Sequence, residues 1–98
     1  RIEQFTKVKT LLGETKTPKI VCGDFNALPD TESLRILETD MENLIKKYDV
    51  QSTRSSLYKK DEKMADYTLV SKDVIVKSFE VPDIEVSDHL PMVLEFDI

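Results

Sequence analysis

Apolar and polar positions divide the chain into one helical repeat at the front and an alternating pattern at the back. Ile2, Phe5, Val8, Leu11 and Leu12 recur every three or four residues among Lys, Glu, Gln and Thr. That spacing predicts an amphipathic helix which ends near Gly13 and needs a sheet to lie on. Lys19-Ile20-Val21-Cys22-Gly23 is short, β-branched and apolar at successive positions, the pattern of a strand covered on both faces and closed by Gly23. Asp30 is expected to cap a helix over 31–38, with Glu32 acidic in its first turn. Met41 to Tyr48 suits a further helical turn, and the polar run from Val50 to Lys63 reads as a surface loop.

The last third alternates with the two-residue period of strands. Over 65–71, Tyr67 and Leu69 take one face and Thr68 and Val70 the other. Over 74–81, Ile75, Phe79 and Val81 stand opposite Val74 and Val76, and over 92–98 Met92, Leu94, Phe96 and Ile98 point inward. Lys72-Asp73 is short enough to close a hairpin, so these three strands are expected to run as an up-down-up meander.

Composition limits what the chain can be. Its 98 residues are 40% hydrophobic and 34% charged, the balance of one globular domain. A chain this short buries only roughly 60–65% of the surface it exposes when unfolded, so an open apolar face would be costly. Arg1 opens the chain and helical periodicity begins at once, with no signal-peptide pattern, which reads as a segment excised from a longer protein. No apolar run reaches the roughly 20 residues of a membrane-spanning helix, and a soluble, cytoplasmic protein is expected. A lone cysteine, Cys22, cannot form an intramolecular disulfide and is expected in the core. The net charge of −5 opposes a broad nucleic-acid footprint, although a bound cation can supply positive charge locally to a phosphate substrate.

Three stretches place polar residues at strand ends: Gly23-Asp24-Phe25-Asn26, Ala65-Asp66-Tyr67 and Ser87-Asp88-His89-Leu90-Pro91. Singly each has a plainer reading, as Asx-turns at Asp24 and Asn26, a solvated strand end at Asp66, or a capped loop at 88–91. In a meander, however, the starts of 65–71 and 90–98 share one sheet edge, and Asp24 joins them if its strand runs the other way. Three carboxylates, a carboxamide and the single histidine would then meet, which calls for a cation or shared protons. Oxygen donors favour magnesium or manganese over zinc, and metal-assisted hydrolysis of a phosphate ester is the reaction class.

GDFN at 23–26 followed by ALPDT, ADYTLVS at 65–71 and SDHLP at 87–91, in this order, closely resemble the endonuclease/exonuclease/phosphatase superfamily, as do Arg1 and Gln4 in an RxxQ-like helix. The resemblance implies an α/β fold, the C-terminal half of a four-layer α/β/β/α sandwich of mostly antiparallel sheets, with residues 1–98 as one partial domain. It implies that Asp24 orients or deprotonates the attacking water and that Asn26 binds the nucleophile or the phosphate. Asp88, with Asp24, would hold magnesium or manganese. His89 would contact the scissile phosphate, oriented by Asp66. The family's early Asn, its metal-binding Glu and its mid-chain Tyr and His have no counterpart here, so the isolated chain is expected to be inactive without the other half. Its open sheet face predicts self-association. GDFNALPDT looks most like deadenylase-type and bacterial members, so the expected substrate is a nucleic-acid or nucleotide phosphodiester. A non-catalytic binding or assembly module is the alternative.

Overall fold

The computed structural model describes residues 2–14, 17–25, 31–55, 64–85 and 87–98. In chain order these form helix α1 (Ile2–Gly13), strand β1 (Ile20–Asp24), helix α2 (Glu32–Glu38), strand β2 (Met41–Asn43), helix α3 (Leu44–Lys47) and strands β3 (Asp66–Ser71), β4 (Ile75–Glu80) and β5 (Val93–Asp97). The result is an α/β fold with antiparallel sheets, as expected. β1, β3 and β2 form one sheet in that order, and β4 and β5 form another.

This topology corrects the expected meander. Val74 N–H does donate to the carbonyl of Ser71, so the chain turns at Lys72-Asp73. β3 nevertheless pairs with β1 and β2, and β4 pairs only with β5. The alternation within β4 is also interrupted. A bulge between Val76 and Ser78 places Phe79 opposite Leu94, on the face of Val76, instead of with Ile75. Ile75 is 59% exposed, whereas Val74 and Phe79 are buried.

β3 is the axis of the molecule. Its residues Asp66 to Val70 are buried on both faces, and Tyr67 and Leu69 are wholly inaccessible. Tyr67 meets Phe25 at 5.6 Å between ring centroids, and Phe25 meets Phe5 of α1 edge-on at the same distance, so aromatic packing joins the first helix to the central strand. Phe5 and Leu12 pack on the core, but Val8 and Leu11 of the expected apolar stripe are exposed.

On the opposite face of β3, Thr68 Oγ1 approaches Met92 Sδ at 3.4 Å, which brings the residues leading into β5 against it. The same face of β1 is open: Ile20 is 37% exposed, and Cys22 is exposed, not in the core. β1 is therefore covered on one face only. Phe96 is exposed, as an inner face left open in an isolated half implies, whereas Met92 and Leu94 of the same face pack against the core; Ile98, placed inward, is exposed.

Two helix starts differ from expectation. Thr31 caps α2 by accepting from Leu34 N–H, one position after the expected Asp30, which lies outside the described residues. Met41 to Asn43 form a strand where a helical turn was expected. The buried Asn43 then caps α3 through Oδ1 and donates to Glu38 through Nδ2. One side chain thus ends a strand, starts a helix and ties both to α2.

Candidate active site

Gly23 immediately precedes the first site residue and has φ of +150°, a backbone region that glycine accepts far more readily than residues with a Cβ. A Cβ there would meet nothing closer than Phe25 Cε1 at 4.0 Å, so it is the backbone angle, not lack of space, that selects glycine. Gly23 pairs with Tyr67, and Asp24 follows in register with Asp66. Both aspartates are thereby set on one face at one end of the three-stranded sheet.

His89 joins them through a connection that the sequence pattern did not reveal. Residues 53–55 run antiparallel to 88–90: Ser55 N–H donates to the Asp88 carbonyl at 3.0 Å, Leu90 N–H donates to the Thr53 carbonyl at 2.9 Å, and Arg54 forms a bridge pair with His89. Ser55 Oγ adds a hydrogen bond to the Ser87 carbonyl. The fully buried Thr53 also accepts from the amides of Ala65 and Asp66, both at 3.2 Å, through Oγ1. Thr53 and Ser55 thus fasten the Asp88-His89 segment to the start of β3. The aspartates and histidine converge as expected, but this clasp, and not a shared meander edge, brings them together.

His89 Nδ1 lies 2.7 Å from Asp66 Oδ2, and an imidazole N–H facing a carboxylate at this distance donates to it. Asp66 is buried, whereas the side chains of His89, Asp24 and Asp88 are 38%, 44% and 51% exposed. The arrangement is an accessible imidazole fixed from behind by a covered carboxylate. Asp24 and Asp88 each place a carboxylate oxygen 3.9 Å from His89 Nε2. Asn26 lies outside the described residues.

Arg54 is the site residue that sequence reading missed, because the run from 50 to 63 reads as a polar loop. Its only sequence signal is one arginine among Ser52, Thr53 and Ser55, a weak one. Its side chain is 9% exposed. Nη1 lies 3.0 Å from His89 Nε2 and 3.4 Å from Nδ1, and Nη2 lies 4.0 Å from Asp24 Oδ2. An atom this close to both ring nitrogens cannot lie in the ring plane without striking the carbon between them. The guanidinium nitrogen therefore sits over the imidazole face, nearer Nε2.

Ligand atoms of Asp24, Asp66 and His89 fall within 4.8 Å of one another, close enough to share a metal ion. Asp66 Oδ2, however, is already engaged by the imidazole. Asp24 offers an exposed oxygen of this group, which does not include Asp88, expected beside it as a metal ligand; a hard carboxylate donor in an open site suits magnesium or manganese, which bind through one or two carboxylates and retain water. A separate cavity of about 230 Å³, lined by Lys9, Leu12, Lys19 and Leu37 among others, opens at the Lys19–Ser71 end of the sheet, away from this cluster.

Comparison with known families matches residues 1–89 to the Endonuclease/Exonuclease/phosphatase family. No curated protein and no solved structure matches the chain.

Proposed function

The chain belongs to the endonuclease/exonuclease/phosphatase family, and from that premise we propose that its site serves metal-dependent hydrolysis of a phosphoester. The observation that carries this reading is the convergence of Asp24, Asp66, Asp88 and His89 from three separate segments, with His89 Nδ1 fixed on Asp66 at 2.7 Å. A surface that merely tolerated acidic residues would have no need to orient an imidazole through a buried carboxylate.

In this proposal Asp24 accepts a proton from the attacking water or aligns it, and Asn26 holds the nucleophile or the phosphate. Asp88 and Asp24 would hold a magnesium or manganese ion, which would supply positive charge toward a phosphoryl group. His89 meets the scissile phosphate through Nε2, while Asp66 retains the Nδ1 proton and keeps the ring from rotating. A preorganised donor of this kind contributes on the order of 10²- to 10³-fold in kcat. The substrate proposed is a nucleic-acid or nucleotide phosphodiester, engaged at the reacting phosphate and not along an extended backbone, in keeping with the net charge of −5.

We propose further that residues 1–98 form the C-terminal half of a four-layer sandwich. Support comes from the exposed apolar side chains Ile20, Val93, Phe96 and Ile98. Exposed apolar side chains also favour the second reading, a non-catalytic binding or assembly module that associates with itself or with another chain.

The deciding experiment is hydrolysis of a generic phosphodiester with magnesium and with manganese, by this chain, by an upstream-extended chain and by its His89→Ala variant. Activity that appears in the extended chain and vanishes with His89→Ala is the expected result. An extended chain inert toward every phosphodiester and monoester tried would sink the hydrolase reading in favour of the module. Among the described residues no helix is long and apolar enough to cross a membrane.

A further inference from the structure

Two serines occupy matching places beside the clasp. Ser55 N–H and Leu90 N–H make the ladder bonds on either side of the Arg54–His89 pair. In an antiparallel ladder, the pair that lies between such bonds turns its own N–H and C=O away from the opposite strand. The clasp therefore holds Asp88 and Leu90, the neighbours of His89, and leaves the peptide groups of His89 itself facing outward.

Ser87 takes both of them. Its Oγ accepts from His89 N–H at 3.0 Å and donates to the His89 carbonyl at 3.2 Å. Across the bridge Ser52 repeats the device, its Oγ accepting from Arg54 N–H at 3.0 Å and donating to the Arg54 carbonyl at 2.9 Å. In each strand a hydroxyl two residues ahead closes the outer side of the bridge residue's backbone. The backbone of His89 is thus gripped on its inner side by the clasp and on its outer side by Ser87.

That backbone carries the imidazole whose Nδ1 lies 2.7 Å from Asp66 Oδ2. Rotation at His89 would swing the ring away from a buried carboxylate that is not free to follow it. Ser87 is exposed, so water can replace its bonds at little cost in stability. What water does not supply is a fixed direction. We propose that Ser87 is a positioning residue: its hydroxyl sets the His89 peptide and, through it, the alignment of the imidazole on Asp66. The use of that alignment in catalysis rests on the phosphoesterase reading.

The chain has one histidine, which makes the ring nitrogens of His89 a unique reporter. ¹⁵N NMR at a pH alkaline enough to keep the ring neutral gives the ratio of the Nδ1–H to the Nε2–H tautomer, and the bond to Asp66 favours the first. Wild-type chain is compared with Ser87→Ala, Ser87→Thr and the surface control Ser78→Ala. Ser87→Ala should lower the ratio roughly two- to tenfold, the weight of one ordinary hydrogen bond. Ser87→Thr keeps the hydroxyl and should restore the wild-type ratio, and Ser78→Ala should not change it. A hydroxyl that only stabilised the fold would lower Tm and leave the ratio where it was, so an unchanged ratio in Ser87→Ala overturns the proposal. An equal fall in Ser87→Thr or in Ser78→Ala does so too. If Ser87→Ala does not fold, Ser87→Cys decides, since a thiol is a weak donor and acceptor: a lowered ratio supports the role and a wild-type ratio refutes it. The tautomer is read without turnover, so an upstream-extended chain that hydrolyses nothing counts against the phosphoesterase reading alone.

Discussion

Replacing Thr53 by Val tests whether the clasp holds the site together. Val has nearly the same shape, so the substitution removes little packing and leaves no large cavity. What disappears is Oγ1, which accepts from the amides of Ala65 and Asp66 at 3.2 Å each, in a place where Thr53 is wholly buried and Ala65 and Asp66 are 4% and 5% exposed. A buried donor left without an acceptor costs about 1–3 kcal/mol, and with two donors sharing one oxygen the total loss is about 2–4 kcal/mol. In a domain of this size each kcal/mol lowers Tm by roughly 4–8 °C, so a fall on the order of 10–20 °C is expected. Urea titration followed by circular dichroism measures the free energy, and amide exchange at Ala65 and Asp66 shows whether the loss is local. Thr53→Ser keeps the oxygen and should lose only about 1 kcal/mol for the missing methyl. If Thr53→Val stays within about 0.5 kcal/mol of the wild type, the ordinary range for changes away from any special feature, the hydroxyl does not fasten β3 and the account of how the site assembles fails.

Three other outcomes are expected. Asp66→Asn should lower hydrolysis by the upstream-extended chain by roughly 10–100-fold, as loss of an outer partner does elsewhere, and should shift the His89 tautomer signals in ¹⁵N NMR; retention of both refutes the orienting role. Gly23→Ala should destabilise the fold by about 1–3 kcal/mol through the backbone angle alone, measured by urea titration, and a neutral effect would show that Asp24 does not depend on that conformation. Magnesium at about ten times its Kd should stabilise the chain by about 1.4 kcal/mol, read as a rise in Tm; Asp88→Asn should lose this response, and a variant that keeps it would remove Asp88 from the metal site.

Where one residue's chemistry determined the outcome, the sequence was sufficient. Apolar spacing located α1, α2 and the later strands to within a residue or two, and the GDFN, ADY and SDH stretches named the aspartates and histidine that come together. Decisions that belong to tertiary contacts were out of reach. The alternation in 74–81 contains no mark of the bulge at 76–78, because a bulge is defined by its partner strand. Met41 to Asn43 are too few to show a period and become a strand only because β3 offers an edge. The core placement of Cys22 failed for a related reason: apolar character gives a strand's preference for burial but not what lies opposite each face. Arg54 escaped because its role comes from a bridge to a segment 35 residues away, and nothing in the local composition records that distance.

The clasp also has a kinetic consequence. The contacts that bring the segments of the site together join positions far apart in the chain, with Arg54 and His89 separated by 35 residues and Asp66 and His89 by 23. Such closures lose chain entropy before any contact compensates it, so they belong to the slow part of folding. The imidazole is held at Asp66 by contacts that need β3, residues 53–55 and the segment ahead of β5 together. The His89 resonance should therefore report assembly of the whole clasp: a chain caught part-way can hold its helices yet lack the Asp66–His89 pair.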